Sequence, residues 1–370
     1  MQTFRFTVFS VLSILLFTLW LTSCGSQPPK SDPDMRTPAF QWFLKGRAFL
    51  GNGEYIQAEI AFNKALDLRQ NFAPALDGLA QVYLEQNHTE MAEQYVQSAL
   101  KGSPPYLPAR LTEARLLIRN GEFELAHQKL NTLAKIVVRN NVKLLRTPVL
   151  YYSALVAFKQ NRFGDARKIL TALLNTDANH KQGKQLLRAL NRKTQLLQKF
   201  PEAVRPFVFK PFVTRIDLVR LLHYYFSDVR FSYPLPFIIT NLYPKISLTQ
   251  ISDINRNSEE AKIVEYALNK QLIWAFPDGT FHPQEAVSRA EFALILQRLY
   301  LRLQKPVAKT NCAFKLDDVP KEDFIFRAVC IAVTHQWLHT KGNRFLPESK
   351  INGLQATRAL QKLKNECVGK

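Results

Sequence analysis

The sequence predicts an all-α chain in two helical parts, and two periodicities carry that expectation. Between about residues 38 and 199, small and aromatic residues recur every 34 positions, the length of one helix pair. Between about residues 203 and 368, a second period of 64 to 65 positions links a helix pattern, a Gly-containing turn and a further helix start. Ahead of both lies an apolar N-terminal run that reads as a targeting segment and not as part of the fold.

Composition fits globular domains: 46% hydrophobic and 22% charged residues leave no case for wholesale disorder in 370 residues. The formal net charge of +20 is the outlier. It predicts attraction to polyanions, whether nucleic acid, anionic lipid headgroups or acidic wall polymers. The compartment decides among these.

Met1 to Ser23 has one basic side chain, Arg5, then an apolar run from Val8 to Leu21 broken only by Ser10, Ser13 and Thr18. The run is short for a membrane span, which takes about 20 residues, and has the length of a signal-peptide core. It ends in Leu21-Thr22-Ser23-Cys24, which resembles the lipobox of bacterial lipoproteins. That resemblance implies a signal peptide over 1–23 and lipid attachment at Cys24. A plain secretory peptide or an uncleaved anchor are the alternatives. Residues 24–37 are polar and Pro-rich and read as a flexible tether. Gly25 after the cysteine implies sorting to the outer membrane in diderm lipoproteins. Export removes nucleic acid from the expected partners and leaves wall glycans, lipid headgroups or an acidic protein.

In the 38–199 array, Gly46, Phe49, Ala58, Phe62 and Ala65 recur as Ala80, Tyr83, Ala92, Val96 and Ala99, then as Ala114, Leu117, Ala126, Leu130 and Leu133. After a slip of six residues the set returns as Ala154, Ala157, Ala166, Leu170 and Leu173. The pattern resembles the tetratricopeptide repeat (TPR), which implies a solenoid of helical hairpins. Its units are about 39–72, 73–106, 107–140 and 147–180, with Lys181 to Lys199 as a capping helix. Pro104 matches the family's unit-end proline. Small residues are needed where helix axes approach to about 8–10 Å. The resemblance also implies a concave groove lined by the first helix of each pair, with Phe43, Arg47, Leu50, Asp77, Gln81, Leu84, Leu111, Arg115, Ile118, Tyr151, Leu155 and Phe158 offered to a protein partner. Plain helix packing is the other explanation for each of them.

In the C-terminal part, Ser252-Asp253-Ile254 recurs as Asp317-Asp318-Val319, and Phe281-His282-Pro283 as Phe345-Leu346-Pro347. Pro277-Asp278-Gly279-Thr280-Phe281 is a turn signal, and Ser288 with Glu291 reads as a capping box. The segment resembles an S-layer homology (SLH) repeat, with SRAEF at 288–292 in place of the family's TRAEF. Thr214-Arg215-Ile216-Asp217 is a second helix start of this kind. The third unit has lost it, reading Ile351-Asn352-Gly353-Leu354-Gln355. The units are about 203–227, 250–303 and 314–365, separated by an uninterpreted insertion at 228–247. The resemblance implies a compact helical pseudo-trimer that binds anionic cell-wall glycan. It nominates Arg289, Glu291, Asp278, Gly279, Arg215 and Asp217 as glycan contacts, and none in the third unit. A local cap and ion pair is the alternative role for the Arg and Glu.

Cys312, Cys330 and Cys367 remain after lipidation of Cys24. An oxidising compartment permits one disulfide, Cys312–Cys330 ahead of Cys312–Cys367. Cys330 aligns with Glu265, an outward helical position. His335 and His339 lack the companions of a zinc site, and neither metal nor cofactor is expected. No phosphate loop, nucleophile elbow or HExxH occurs, so no enzyme is expected. The order of anchor, tether, repeat array and wall-type module points to an envelope scaffold. The alternative is a TPR assembly or pilotin-like factor for an outer-membrane or secretion complex, with the SLH region only structural.

Overall fold

The computed structural model describes residues 37–102, 105–235, 248–304 and 315–369. The expected signal peptide, Cys24 and most of the tether lie outside these residues, as do Pro104, most of the 228–247 insertion and Cys312. The fold is all-α; among the described residues extended pairing is limited to three isolated bridges. The chain divides into two compact units at Leu190–Asn191.

The first unit is a run of helical hairpins: α1 (Pro38–Asn52) with α2 (Tyr55–Leu68), α3 (Ala73–Glu85) with α4 (Thr89–Leu100), α5 (Leu107–Asn120) with α6 (Phe123–Arg139), and α7 (Lys143–Lys159) with α8 (Phe163–Thr176). α9 (Lys181–Leu197) follows. Each hairpin turns on one residue in the left-handed region: Gly53, Asn87, Gly121 and Asn161. Gly and Asn adopt that conformation with least strain, which is why the Asn-Gly loop recurs. The close helix approach is explicit at Phe62. A Cβ added to Gly46 on α1 or to Gly78 on α3 would lie 2.5 Å from its ring, so glycines on two helices make room for one buried aromatic.

The break in the 34-residue period is absorbed as helix. α6 and α7 each run to 17 residues, against 12 to 15 in α1 to α5. Pro74 and Pro108 sit in the first turn of α3 and α5, where the missing N–H is harmless. Pro148, 40 positions beyond Pro108, lies inside α7 because that helix has gained a turn ahead of it. Leu186 and Leu190 of α9 join the core of the last hairpin.

The second unit contains α10 (Arg205–Val208), α11 (Arg215–Phe226), α12 (Glu259–Asn269), α13 (Arg289–Leu303), α14 (Phe326–Thr334) and α15 (Gly353–Val368). α11, α13 and α15 are equivalent. Each is entered from an N-cap, Thr214, Ser288 or Asn352, whose side chain accepts a backbone N–H three residues on. Just ahead of these caps the backbone closes a ring. Val213 N–H donates to the Ile351 carbonyl (2.9 Å), Ile351 N–H to Val287 (3.0 Å) and Val287 N–H to Val213 (2.9 Å). All three residues are fully buried and mark a pseudo-threefold centre.

Four local expectations are corrected here. The helix start of the third unit, read as lost, carries a complete capping box through Asn352 and Gln355. The box expected at Ser288 and Glu291 is half formed, because the Glu291 carboxylate pairs with Arg215 instead. Cys330 is also not outward: it is 1% exposed and disulfide-bonded. Cys367 is a free thiol, which removes the pairing of Cys312 with Cys367.

Candidate functional site

A cavity of about 1010 Å³ opens in the first unit. Phe43, Arg47, Leu50, Asp77, Gln81, Leu111 and Arg115 line it, as the repeat register predicts. Leu84, Ile118, Tyr151, Leu155 and Phe158 are not part of its lining. Tyr151 packs on His180 (ring centroids 5.3 Å) and Phe158 on Phe163 (6.1 Å). The extra turn of α7 accounts for the difference, since it brings Leu144, Leu145, Pro148 and Tyr152 to the wall. Tyr106, in the segment leading into α5, is a further lining residue that the repeat template does not reach.

Asp77 is the chemical centre of this cavity. It is 3% exposed. Its Oδ2 accepts from Gln81 Nε2 (2.9 Å), while Oδ1 has no hydrogen-bond partner. The neighbouring Thr112 hydroxyl donates to the Pro108 carbonyl (3.4 Å). Burial pushes the Asp77 carboxyl up to about 6, against the pull of Thr112, Gln81, Arg115 and Arg47. Gln81 Oε1 in turn accepts from Arg115 Nη1 (3.4 Å), whose Nη2 pairs with Glu85 (2.6 Å). The Arg115 guanidinium also lies over Tyr152, 5.6 Å from the ring centroid. Asp77 thus sits behind the cavity wall beside the Thr112 hydroxyl, and the groups open to an incoming chain are Arg47, Gln81 and Arg115 among the aromatic side chains.

In the second unit the two motif arginines face inward. Arg215 is fully buried; Nε donates to the Phe281 carbonyl (2.7 Å), Nη2 to the Trp274 carbonyl (2.5 Å), and Nη1 to Glu291. Arg289 is 6% exposed and repeats the arrangement one unit on, with Nε to the Phe345 carbonyl (2.8 Å) and Nη2 to the His339 carbonyl (2.6 Å). Each guanidinium sits over a Phe of the loop it clamps, Phe281 or Phe345, at 4.7 and 4.5 Å. Direct glycan contact, the role expected from the motif, does not fit guanidinium groups buried in this way. They tie each helix start to the loop of the following unit. Asp217 is likewise internal, capping Thr214 and holding Lys210 Nζ (2.7 Å).

The third helix start has no arginine because there is no space for one. A Cβ on Gly353 would lie 1.6 Å from the Phe207 carbonyl oxygen, and the Gly353 N–H donates to the Lys210 carbonyl (3.0 Å). The loops themselves are held by aspartates whose role sequence reading missed. Asp253 accepts from the Phe281 and His282 N–H groups (both 2.7 Å), and Asp318 from Phe345 and Leu346 (both 2.8 Å). The recurrence at 253 and 318 was the available signal. Of the nominated residues only Asp278 and Gly279 lie on an outer loop, where Asp278 accepts from the Thr280 N–H (2.9 Å) and Thr280 Oγ1 contacts His282 Nε2 (2.8 Å). The Thr280 hydrogen bonds hold the exposed Asp278 carboxyl below its usual value.

His335 stacks on Trp337 (4.6 Å) and reaches Glu366 (2.7 Å). Among the described residues no three His, Cys, Asp or Glu are grouped to hold a metal, and no helix is long and apolar enough to cross a membrane.

A family model of the tetratricopeptide repeat matches residues 42–72, and one of the S-layer homology domain matches residues 250–293. The chain carries a TPR repeat and an SLH domain. The TPR match spans most of the α1–α2 hairpin and its lead into α3. The SLH match spans α12, the loop held by Asp253 and the first turn of α13. Both are non-catalytic interaction modules, the first for proteins and the second for the cell wall, and the SLH domain associates the chain with the cell envelope. No curated protein matches the chain. One solved structure, titled "Functional Characterization of Pseudomonas Aeruginosa pilF", is 18% identical and covers 50% of this chain and 84% of that one. Its TM-score of 0.36 is too low to carry a conclusion.

Proposed function

We propose that this chain is a non-enzymatic scaffold of the cell envelope, anchored in the outer membrane through lipid on Cys24. In this reading the SLH unit holds peptidoglycan or an anionic wall polysaccharide and the TPR cavity docks a protein partner. The cavity lined by Phe43, Arg47, Gln81, Arg115 and Tyr152 carries the docking half. Its aromatic walls and the guanidinium groups of Arg47 and Arg115 suit a partner segment with apolar and acidic side chains. The wall half rests on the SLH match. Its glycan contacts fall on the exposed loop at Asp278 and Gly279, since Arg215, Arg289 and Asp217 are committed inside. A pull-down of the mature chain with purified cell-wall sacculi tests it. Retention that Asp278→Ala weakens supports the reading, and no retention removes the wall half.

A second reading, a TPR assembly or pilotin-like factor whose SLH unit is only structural, is favoured by the inward arginines. Co-purification in mild detergent separates the two. A stoichiometric membrane-protein partner that Asp77→Ala or Arg115→Ala releases, with no sacculus binding, supports the second.

A further inference from the structure

The positive charge is not evenly spread. Residues 38–122 carry eight Lys and Arg against nine acids, whereas residues 123–199 carry fifteen against three, a net charge of +12. The forty residues 125–164 contain no Asp or Glu at all. This segment includes the place where the repeat period breaks and α6 and α7 lengthen.

At that corner the chain turns tightly. Val142 N–H donates to the Val137 carbonyl (2.9 Å) and Asn141 N–H to the Val138 carbonyl (3.3 Å), with Asn141 in the left-handed region. The closure leaves Val138 75% exposed and Leu144 89% exposed on the two flanks of the turn. Lys135, Arg139, Lys143 and Arg146 each lie within three positions of one or the other, all exposed. No acid from either helix answers these four cations.

We propose that the α6–α7 corner docks on an anionic lipid bilayer, with the four cations on headgroup phosphates and Val138 and Leu144 entering the interfacial layer. Charge alone would suit any polyanion. The two exposed apolar side chains among the cations select a surface with an apolar interior, because a soluble polyanion has nothing for them to enter. Leu144 also forms part of the cavity wall, so docking presents the cavity mouth near the bilayer. The contact is independent of Cys24.

The test uses the chain from Gly25 onward, which retains every described element, in sedimentation with phosphatidylglycerol–phosphatidylcholine vesicles. Binding is expected to the mixed vesicles, to be absent on phosphatidylcholine alone, and to fall with salt. Lys143→Gln with Arg146→Gln weakens it about thirtyfold, and Val138→Ser with Leu144→Ser about tenfold or more at unchanged charge. Leu144→Trp blue-shifts its emission on the mixed vesicles and not with polyglutamate. These positions are exposed, and unchanged circular dichroism checks that the variants fold. Equal binding by the serine pair, or loss of binding to polyglutamate in parallel with vesicles, marks a general polyanion surface and overturns the proposal. No binding to anionic vesicles overturns it outright.

Discussion

Replacing Asp77 by Asn isolates the buried charge at the centre of the cavity. The folded-state pKa is raised from 3.8 to about 6. The folded protein therefore holds a proton where the unfolded chain has released it. Stability from this group is fully present below pH 3.8 and is lost as the pH rises through 6. A shift of that size corresponds to about 3 kcal/mol. About 2 kcal/mol of it separates pH 8 from pH 4.5. The amide keeps the acceptor for Gln81 Nε2 and removes the charge. Asp77→Asn should therefore gain on the native chain by about 2 kcal/mol between pH 4.5 and pH 8, whatever constant offset its packing adds. Urea denaturation of both chains by circular dichroism, at half-unit pH steps, reads this difference directly, because every other titrating group is shared. Two stability curves that run parallel across this range would refute the burial argument and with it the assignment of Asp77 as an unsatisfied acceptor.

Other positions test the packing. Gly353→Ala drives a Cβ into the Phe207 carbonyl and should cost about 3 kcal/mol or more, read as a lower denaturation midpoint of the second unit. Gly78→Ala pits a helix-propensity gain of about 1 kcal/mol against an overlap with Phe62. A net loss of stability is expected, relieved when Phe62→Leu is added. Arg215→Met leaves Glu291 half-buried without its partner and should cost about 3–5 kcal/mol, with Arg215→Met plus Glu291→Met recovering part of it. Asp253→Ala strips two backbone N–H groups of their acceptor and should cost about 2–4 kcal/mol. Faster amide exchange at Phe281 and His282 would locate the damage.

The helical hairpins were legible because the 34-residue period is carried by positions with little freedom to differ: Gly or Ala where the helices approach, as at Gly46, Ala80 and Ala114, and Gly or Asn at each left-handed turn. The cavity was legible only through its third hairpin. A six-residue slip can be absorbed as loop or as helix, and nothing in the one-dimensional pattern says which. Because it became helix, Tyr152 and not Tyr151 reaches the wall. In the second unit the helix starts were legible, yet the direction of their arginines was not. A first-turn side chain can point to solvent or to the preceding loop of a neighbouring repeat, and only the three-dimensional closure decides. The signal that could have decided it is the recurrence of Phe-x-Pro at Phe209, Phe281 and Phe345. This places a carbonyl-rich loop ahead of every helix start, and a loop of that kind calls for buried donors. Gly353 then reads not as a decayed motif but as the one start that meets backbone where its siblings meet a side chain.

The backbone ring of Val213, Val287 and Ile351 sets the two units apart in how they come undone. A solenoid has ends, and each hairpin leans on its neighbours, so damage at one end leaves the rest standing and unfolding proceeds piecemeal. A ring has no end at which to begin. Its three bonds span 64, 74 and 138 positions along the chain, so none of them is local and each is useful only when the other two segments have arrived. Removing Ile351, two residues ahead of α15, opens two of the three links at once. A cut that frees Ile351 would therefore undo the second unit as a whole, whereas a nick in the first hairpin would leave the later hairpins standing.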